Sequence, residues 1–257
     1  DSTTAWVSLQ ENNAIAQINI EDAEVTDLLP LGFKDHSRDG NELDVSNEDG
    51  GVNIQNWPVY GILQPDAIGT YSPDGEQYIV TANEGDSRDY DSFSEEVEVS
   101  ELRLGHEAFD FDDIEGIDSV EELQQPENLG AKNATTTLGD VDGDGLYEEL
   151  YIFGGRSFSI FTADGELVFD SGNDFEEITA ERFGDDFNND NTENTPDSRS
   201  DNKGPEPEGL ALGQVGNRYY AFIGLERIGG VMVYEITDPE SPSFVDYVNN
   251  RDFSFDI

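Results

Sequence analysis

Over 257 residues the chain carries 59 acidic side chains against 12 basic ones, a formal net charge of −47, and apolar residues make up 35%. So strong a negative charge would repel a phosphate backbone and argues against nucleic acid as a partner. The absence of cysteine excludes disulfides, thiol catalysis and thiolate metal sites. No apolar run approaches the ~20 residues a membrane helix needs. The chain starts with Asp1 and shows no signal-peptide pattern, as expected of a processed product or a piece of something longer.

The acids interleave with strand patterns from end to end, so the composition is that of a folded protein and not of an acidic tail. A hypersaline environment would account for it, because salt screens the self-repulsion. The presence of only three lysines, Lys34, Lys132 and Lys203, fits that account.

In chain order, four apolar runs recur roughly 70 residues apart: 5–9 (AWVSL), 78–82 (YIVTA), 150–154 (LYIFG) and 220–224 (YAFIG). Each is followed by a polar loop and a second strand: 14–20, an ill-defined stretch after Glu84, 157–161 and 231–236. Third strands follow at 25–31, 95–102, 166–170 and 243–248, and a further strand precedes three of the runs, at 66–71, 134–138 and 208–212. Alternation and aromatic content are those of strands, with little helical periodicity. The expected fold is all-β: a β-propeller of four-stranded antiparallel blades. The blades are expected at 1–32 (partial), 64–104, 131–171 and 205–249, with long loops at 33–63 and 171–207. Such a set is either part of a larger ring, the preferred reading, or a four-bladed closure using residues 252–257. The remaining blades would then come from the same or another chain.

In blade geometry the long loops fall on one face, where function is expected. The loop 197–212 (DSRSDNKGPEPEGLAL) packs both signs of charge and two prolines ahead of an apolar strand. It reads either as a turn that starts the strand or as one wall of an anion or metal site. Asp35, His36, Asp66, Glu84, Asp86, Glu206, Glu208 and Glu226 are candidates to hold a second divalent metal there and orient a water. Arg88, Arg156, Arg199, Lys203 and Arg227 are candidates to clamp an anion, since guanidinium forks suit phosphate and carboxylate. The alternative for the arginines is pairing with neighbouring acids. With two histidines in the chain, a histidine-rich zinc site is excluded. Neither a GxSxG elbow nor a phosphate-cradling P-loop is present.

On the opposite face, Asp140-Val141-Asp142-Gly143-Asp144-Gly145-Leu146-Tyr147-Glu148 places oxygens at positions 1, 3 and 5, glycine at 6 and a backbone carbonyl at 7. That order wraps one Ca²⁺ in an EF-hand loop. Asp140, Asp142, Asp144, the Leu146 carbonyl and Glu148 are therefore expected to hold a structural calcium. Asn133-Ala134-Thr135 is a glycosylation sequon.

The segments LQENNAIAQINI, LPLGFKDHS, NWPVYGILQPDAI, TANEGDSRDY, FGGRSFSIF, DSRSDNKGPEPEG and FIGLERIGGVMVYEITDP together resemble the choice-of-anchor I family. The resemblance covers nearly the whole chain. It implies a secreted or surface-anchored β-propeller, often labelled alkaline-phosphatase-like and related to the mesenchyme-specific cell-surface glycoproteins of biomineralising cells. It also implies that N-terminal blades and a last C-terminal portion lie outside this sequence. No catalytic residue set carries over by position. The expected function is a calcium-binding extracellular or cell-surface propeller acting as a metal-dependent phosphoesterase on a small phosphate-containing ligand. The alternative is a non-catalytic module for adhesion, assembly or ion and mineral handling, with cell-surface components as partners.

Overall fold

The computed structural model describes residues 3–111, 114 and 116–255, and antiparallel strands dominate it. Three sheets are meanders. The N-terminal one runs Thr4–Leu9, Ala14–Asn19, Glu24–Pro30. The C-terminal one runs Pro207–Val215, Arg218–Leu225, Val231–Glu235, Ser243–Val248 in simple sequence order. Between them lies a four-stranded sheet with the order Leu167–Asp170, Ser157–Thr162, Tyr78–Asn83, Ala67–Tyr71.

The four-stranded antiparallel sheets are those expected, but their make-up differs in the middle of the chain. The strands assigned to separate units at 64–104 and 131–171 contribute two each to this one central sheet. Tyr78–Asn83 pairs directly with Ser157–Thr162, with Thr81 opposite Ser159 and Asn83 opposite Ser157. Everything from Glu84 to Arg156 is an excursion out of it. A buried polar ladder specifies this pairing. Thr81 Oγ donates to Asn83 (2.7 Å), and Asn83 Nδ2 donates to Ser157 (3.1 Å) and Ser159 (2.7 Å). Both serines donate to Asp170, at 2.7 and 2.6 Å, and Lys34 Nζ lies 3.1 Å from the same carboxylate. Any other partner strand would leave these groups buried and unsatisfied.

The excursion builds a five-stranded mixed sheet in the order Glu96–Glu98, Asn133–Thr135, Tyr151–Phe153, Tyr60–Ile62, Phe33–Asp35, in which Tyr151–Phe153 and Tyr60–Ile62 run parallel. Tyr151–Phe153, expected as a blade strand of its own, is recruited here. The expected strand 95–102 is cut short by a 3-10 turn at Val99–Glu101. The loop 171–207 contains a helix, Asp174–Phe183, which buries Phe175, Glu176 and Thr179.

Three apolar cores hold the sheets together. Val80, Phe158, Ile160, Phe175, Ile223 and Tyr234 fuse the central and C-terminal sheets with the helix. Ile15, Leu29, Ile79 and Phe161 join the N-terminal sheet to the central one. Trp57, Val99, Leu123 and Ile152 fill the mixed-sheet lobe.

Candidate functional site

Arg199 and Lys203 of loop 197–207, with Arg227, converge on Glu206, whose side chain is fully buried. Arg199 donates to Glu206 Oε1 from Nε (3.1 Å) and Nη2 (2.5 Å). Lys203 Nζ and Arg227 Nε reach Oε2 at 3.1 and 3.2 Å, as ion contacts rather than well-directed hydrogen bonds. Lys203 also donates to Glu84 (2.8 Å) and to the Gly85 carbonyl (2.8 Å), and Gln10 donates to Glu84 at 2.9 Å. Arg227 pairs a second time with Glu226, at 3.3 Å.

Local backbone geometry sets this knot up. Glu206 sits between Pro205 and Pro207 with φ +52°, and Gln64, Arg156, Asn188 and Asp197 around it share positive φ. Non-glycine residues hold that conformation only where their surroundings over-determine it. Gly204 is obligatory, because a Cβ there would lie 2.8 Å from Glu176 Oε1 and 2.9 Å from the Arg156 guanidinium.

Oxygens of Glu84, Glu206 and Glu226 lie within 4.8 Å of one another, near enough to share a cation. Three cations already meet these three carboxylates. Lys203 and Arg227 sit on the Glu206 oxygen that a divalent ion would take. Burial pushes Glu206 up, yet Lys203, Arg199 and Arg227 outweigh it and hold the carboxyl below its ordinary value. Burial raises Glu84, with Lys203 opposing, and burial likewise raises Glu226. Glu206 is thus the member whose charged form its counter-ions favour most.

Arg156, expected to clamp an anion, lies outside this knot and is 1% exposed. Its Nη1 donates to the Asp44 carbonyl and to Glu176, both at 2.7 Å, and its Nη2 donates to the carbonyls of Ser200 (2.7 Å) and Asn202 (3.0 Å). Three segments are fastened together: the 33–63 loop, the helix and the 197–207 loop. Arg88 forks onto Glu95 at 3.0 and 2.7 Å. Of the five candidate clamps, only Arg199, Lys203 and Arg227 come together, and they do so around protein carboxylates.

The other candidates are dispersed. Asp35 accepts from Ser37 and Arg38 at 2.6 and 2.8 Å. His36 is buried, with Nδ1 2.6 Å from the Asn41 carbonyl, and burial lowers its pKa well below the ordinary value, leaving a neutral structural imidazole. Asp66 and Glu208 are exposed. Asp86 is half-buried, where burial raises it, and its backbone is bonded on both sides by Gln64.

In the 140–149 loop, the Asp140 carboxylate accepts the N–H groups of Gly143 (2.8 Å) and Gly145 (3.0 Å), while Asp144 accepts that of Leu146 (2.8 Å). Oxygens of Asp140, Asp142 and Glu148 converge within 4.8 Å. The donors are all oxygen, as a hard cation requires. Asp144 stands outside this convergence.

Sequence reasoning missed Glu176, Asp44 and Glu95. Glu176 was reachable, since Phe175, Ile178, Thr179 and Phe183 carry a helical stripe within DFEEITAERF. Asp44 and Glu95 carry no local signal.

The profile of the choice-of-anchor I domain matches residues 1–239. The chain is 33% identical over 252 residues to a mesenchyme-specific cell surface glycoprotein of Strongylocentrotus purpuratus, covering 84% of this chain and 31% of that protein. It is 38% identical over 121 residues to gigasin-3a of Magallana gigas, covering 45% of this chain and 42% of the relative. The chain thus spans less than half the length of the curated relatives it matches. No solved structure gives a significant match. With the profile running through the N-terminal and central sheets, the Glu206 knot and all but the last strand of the C-terminal sheet, the chain belongs to the choice-of-anchor I domain family.

Proposed function

We propose that this chain is a non-catalytic, calcium-stabilised portion of a β-propeller in a secreted or cell-surface protein, serving adhesion, assembly or ion handling. One observation carries the reading. The arginines that a phosphoesterase would turn toward its substrate are turned toward carboxylates of the protein itself: Arg88 to Glu95, Arg156 to Glu176, and Arg199 and Arg227 to Glu206. A guanidinium whose donors are saturated by buried partners has little left for a ligand. The meander sheets are the building block of propeller blades, and the name of the sea-urchin relative places that protein at the cell surface. In this reading Asp140, Asp142 and Glu148 hold Ca²⁺, and the ion stiffens the loop without taking part in chemistry. A metal-dependent phosphoesterase is the competing reading.

The test is hydrolysis of a phosphomonoester and a phosphodiester by the full-length folded protein with saturating Ca²⁺, beside surface labelling of intact cells that make it. No turnover together with surface labelling is expected. Calcium-dependent turnover that is lost on Arg199→Gln or Arg227→Gln, in variants that still fold, would overturn the proposal.

A further inference from the structure

A cleft of about 620 Å³ opens between the 56–60 stretch, Asp35 and Ser37 on one side and Ala108, Phe109 and Asp110 on the other, within the size range of small-molecule sites. Its floor is apolar and aromatic, with Trp57, Tyr60 and Phe109 among the lining residues. Among the described residues its charged groups are all of one sign: Asp35, Asp110, Glu148 and Glu149 line it and no lysine or arginine does, with Asp35 already paired to Arg38 outside it. This is not simply the acidity of the whole surface. The cavity on the far side of Tyr60 includes Lys34 and Arg38, and the one around Glu11 and Leu138 includes Arg88. The 89–101 hollow is acidic too but offers no aromatic floor.

The wall of the cleft is rigid. Tyr60 stacks on Tyr151 with ring centroids 5.2 Å apart, Phe33 meets Tyr151 edge-on at 4.8 Å, and Tyr151 Oη donates to Glu149 at 2.7 Å. That bond fixes one Glu149 oxygen; a carboxylate has lone pairs to spare for a second donor. Trp57 is fully buried, and its Nε1–H has no hydrogen-bond partner among the described residues.

We propose that this cleft binds an organic cation, an ammonium or guanidinium head on an apolar stem. The head lies against Glu148 and Glu149, and the stem lies on Tyr60 and Phe109. Aromatic faces attract cations, and carboxylates in a partly dehydrated cleft hold them more firmly than carboxylates in open water. A neutral sugar would leave the carboxylates uncompensated, and an anion would be repelled. The inference rests on the cleft and not on the surface-module reading, but the organic cation and the calcium of that reading are alternatives at Glu148.

The experiment is calorimetric titration of the full chain, folded and held in chelator so that no metal competes for Glu148. One probe is agmatine, and the other is a short uncharged peptide amide containing a single arginine, which separates a free amine from a protein side chain as the source. Because Trp6 and Trp57 are the only tryptophans, Trp57 emission in a Trp6→Phe background reports occupancy independently. Saturable binding of at least one probe is expected. Glu148→Gln and Glu149→Gln should each weaken it about tenfold, or about 1.4 kcal/mol. Glu240→Gln, the same charge change on an exposed turn of the C-terminal sheet, should leave it unchanged. An equal loss in Glu240→Gln would reduce the effect to general attraction by an acidic surface and overturn the proposal. So would methylguanidinium binding as well as agmatine, or no saturable binding of either probe by folded protein.

Discussion

Arg156 and Glu176 form an ion pair at 2.7 Å in which each side chain is 1% exposed. The pair joins the turn between the mixed and central sheets to a helix twenty residues on. The carbonyls of Asp44, Ser200 and Asn202 take the remaining donors of Nη1 and Nη2. Removing one partner leaves the other charged and uncompensated, a change that costs about 3–5 kcal/mol. Arg156→Ala is therefore expected to lower the urea midpoint sharply. Arg156→Lys should recover little, because one ammonium cannot span four acceptors. A loss below about 1 kcal/mol in either variant would mean that the pair behaves like a surface contact.

The central ladder gives a second test. Asn83→Ala removes the group that receives Thr81 and donates to Ser157 and Ser159. Each stranded polar group costs about 1–3 kcal/mol. The destabilisation should exceed that of Thr70→Ala on the exposed face of the neighbouring strand. Hydrogen exchange should show the loss concentrated in Tyr78–Asn83 and Ser157–Thr162, the two strands that the ladder joins.

These two networks also mark what could be read from the sequence. The strands 78–82 and 157–161 were legible because alternation and β-branching are local. Their partnership was not, because the chain leaves at Glu84 and returns at Arg156, and nothing in a regular 70-residue spacing distinguishes a new blade from the second half of an old one. The only hint was polar: Thr81, Asn83, Ser157 and Ser159 stand where core strands should be apolar. At the site, the wealth of charge in 197–207 was legible, and Glu206, expected there to hold a metal, is instead ringed by the protein's own cations. That Arg88 and Arg156 turn inward depends on Glu95 and Glu176, which lie up to 20 residues away with no local signal to pair them.

If the 140–149 loop binds calcium, the ion stabilises the native state by mass action, about 2.7 kcal/mol at a hundredfold excess over Kd. The melting temperature of the native chain should rise with added Ca²⁺ but not with equal ionic strength of Na⁺. Asp140→Ala and Glu148→Gln should each abolish the rise, since both carboxylates belong to the converging set. Asp144→Asn should blunt it less, because that side chain stands outside the convergence. A rise that survives Asp140→Ala would place the ion elsewhere.

A charge of −47 must repel itself. Raising NaCl from about 0.1 to about 1 M shortens the screening length from about 10 to about 3 Å. The unfolding temperature is accordingly expected to climb over that range, and to climb less in a variant in which several exposed acids are made neutral. Insensitivity to salt would show that the acids are already compensated in the fold.

Asp44 supplies a pH signature. It is fully buried, and burial pushes its pKa up to about 8, with the Asn53 N–H opposing and Glu176 adding to the rise. In the unfolded chain it titrates near 4. The native state therefore holds a proton that the unfolded state has released at every pH between those values. The stability this contributes is complete below about pH 4, falls as pH rises and is lost by about pH 8. Asp197, raised by burial to about 6, acts in the same direction but finishes earlier. Glu95 acts in the opposite sense: burial pushes it up, but the Arg88 fork and two threonines hold it at about 2, so its contribution is lost only in strong acid. His36 and Lys132, both lowered by burial, take up protons on unfolding and act against Asp44, so its share, with a limit of about 1.4 kcal/mol per pH unit, is read as the difference between the native chain and Asp44→Asn. In urea denaturation at pH 6, 7, 8 and 9 the native chain should lose stability relative to Asp44→Asn as pH rises, since the variant keeps an acceptor for the Asn53 N–H without a proton to lose. An unchanged slope in Asp44→Asn would assign the decline to another group.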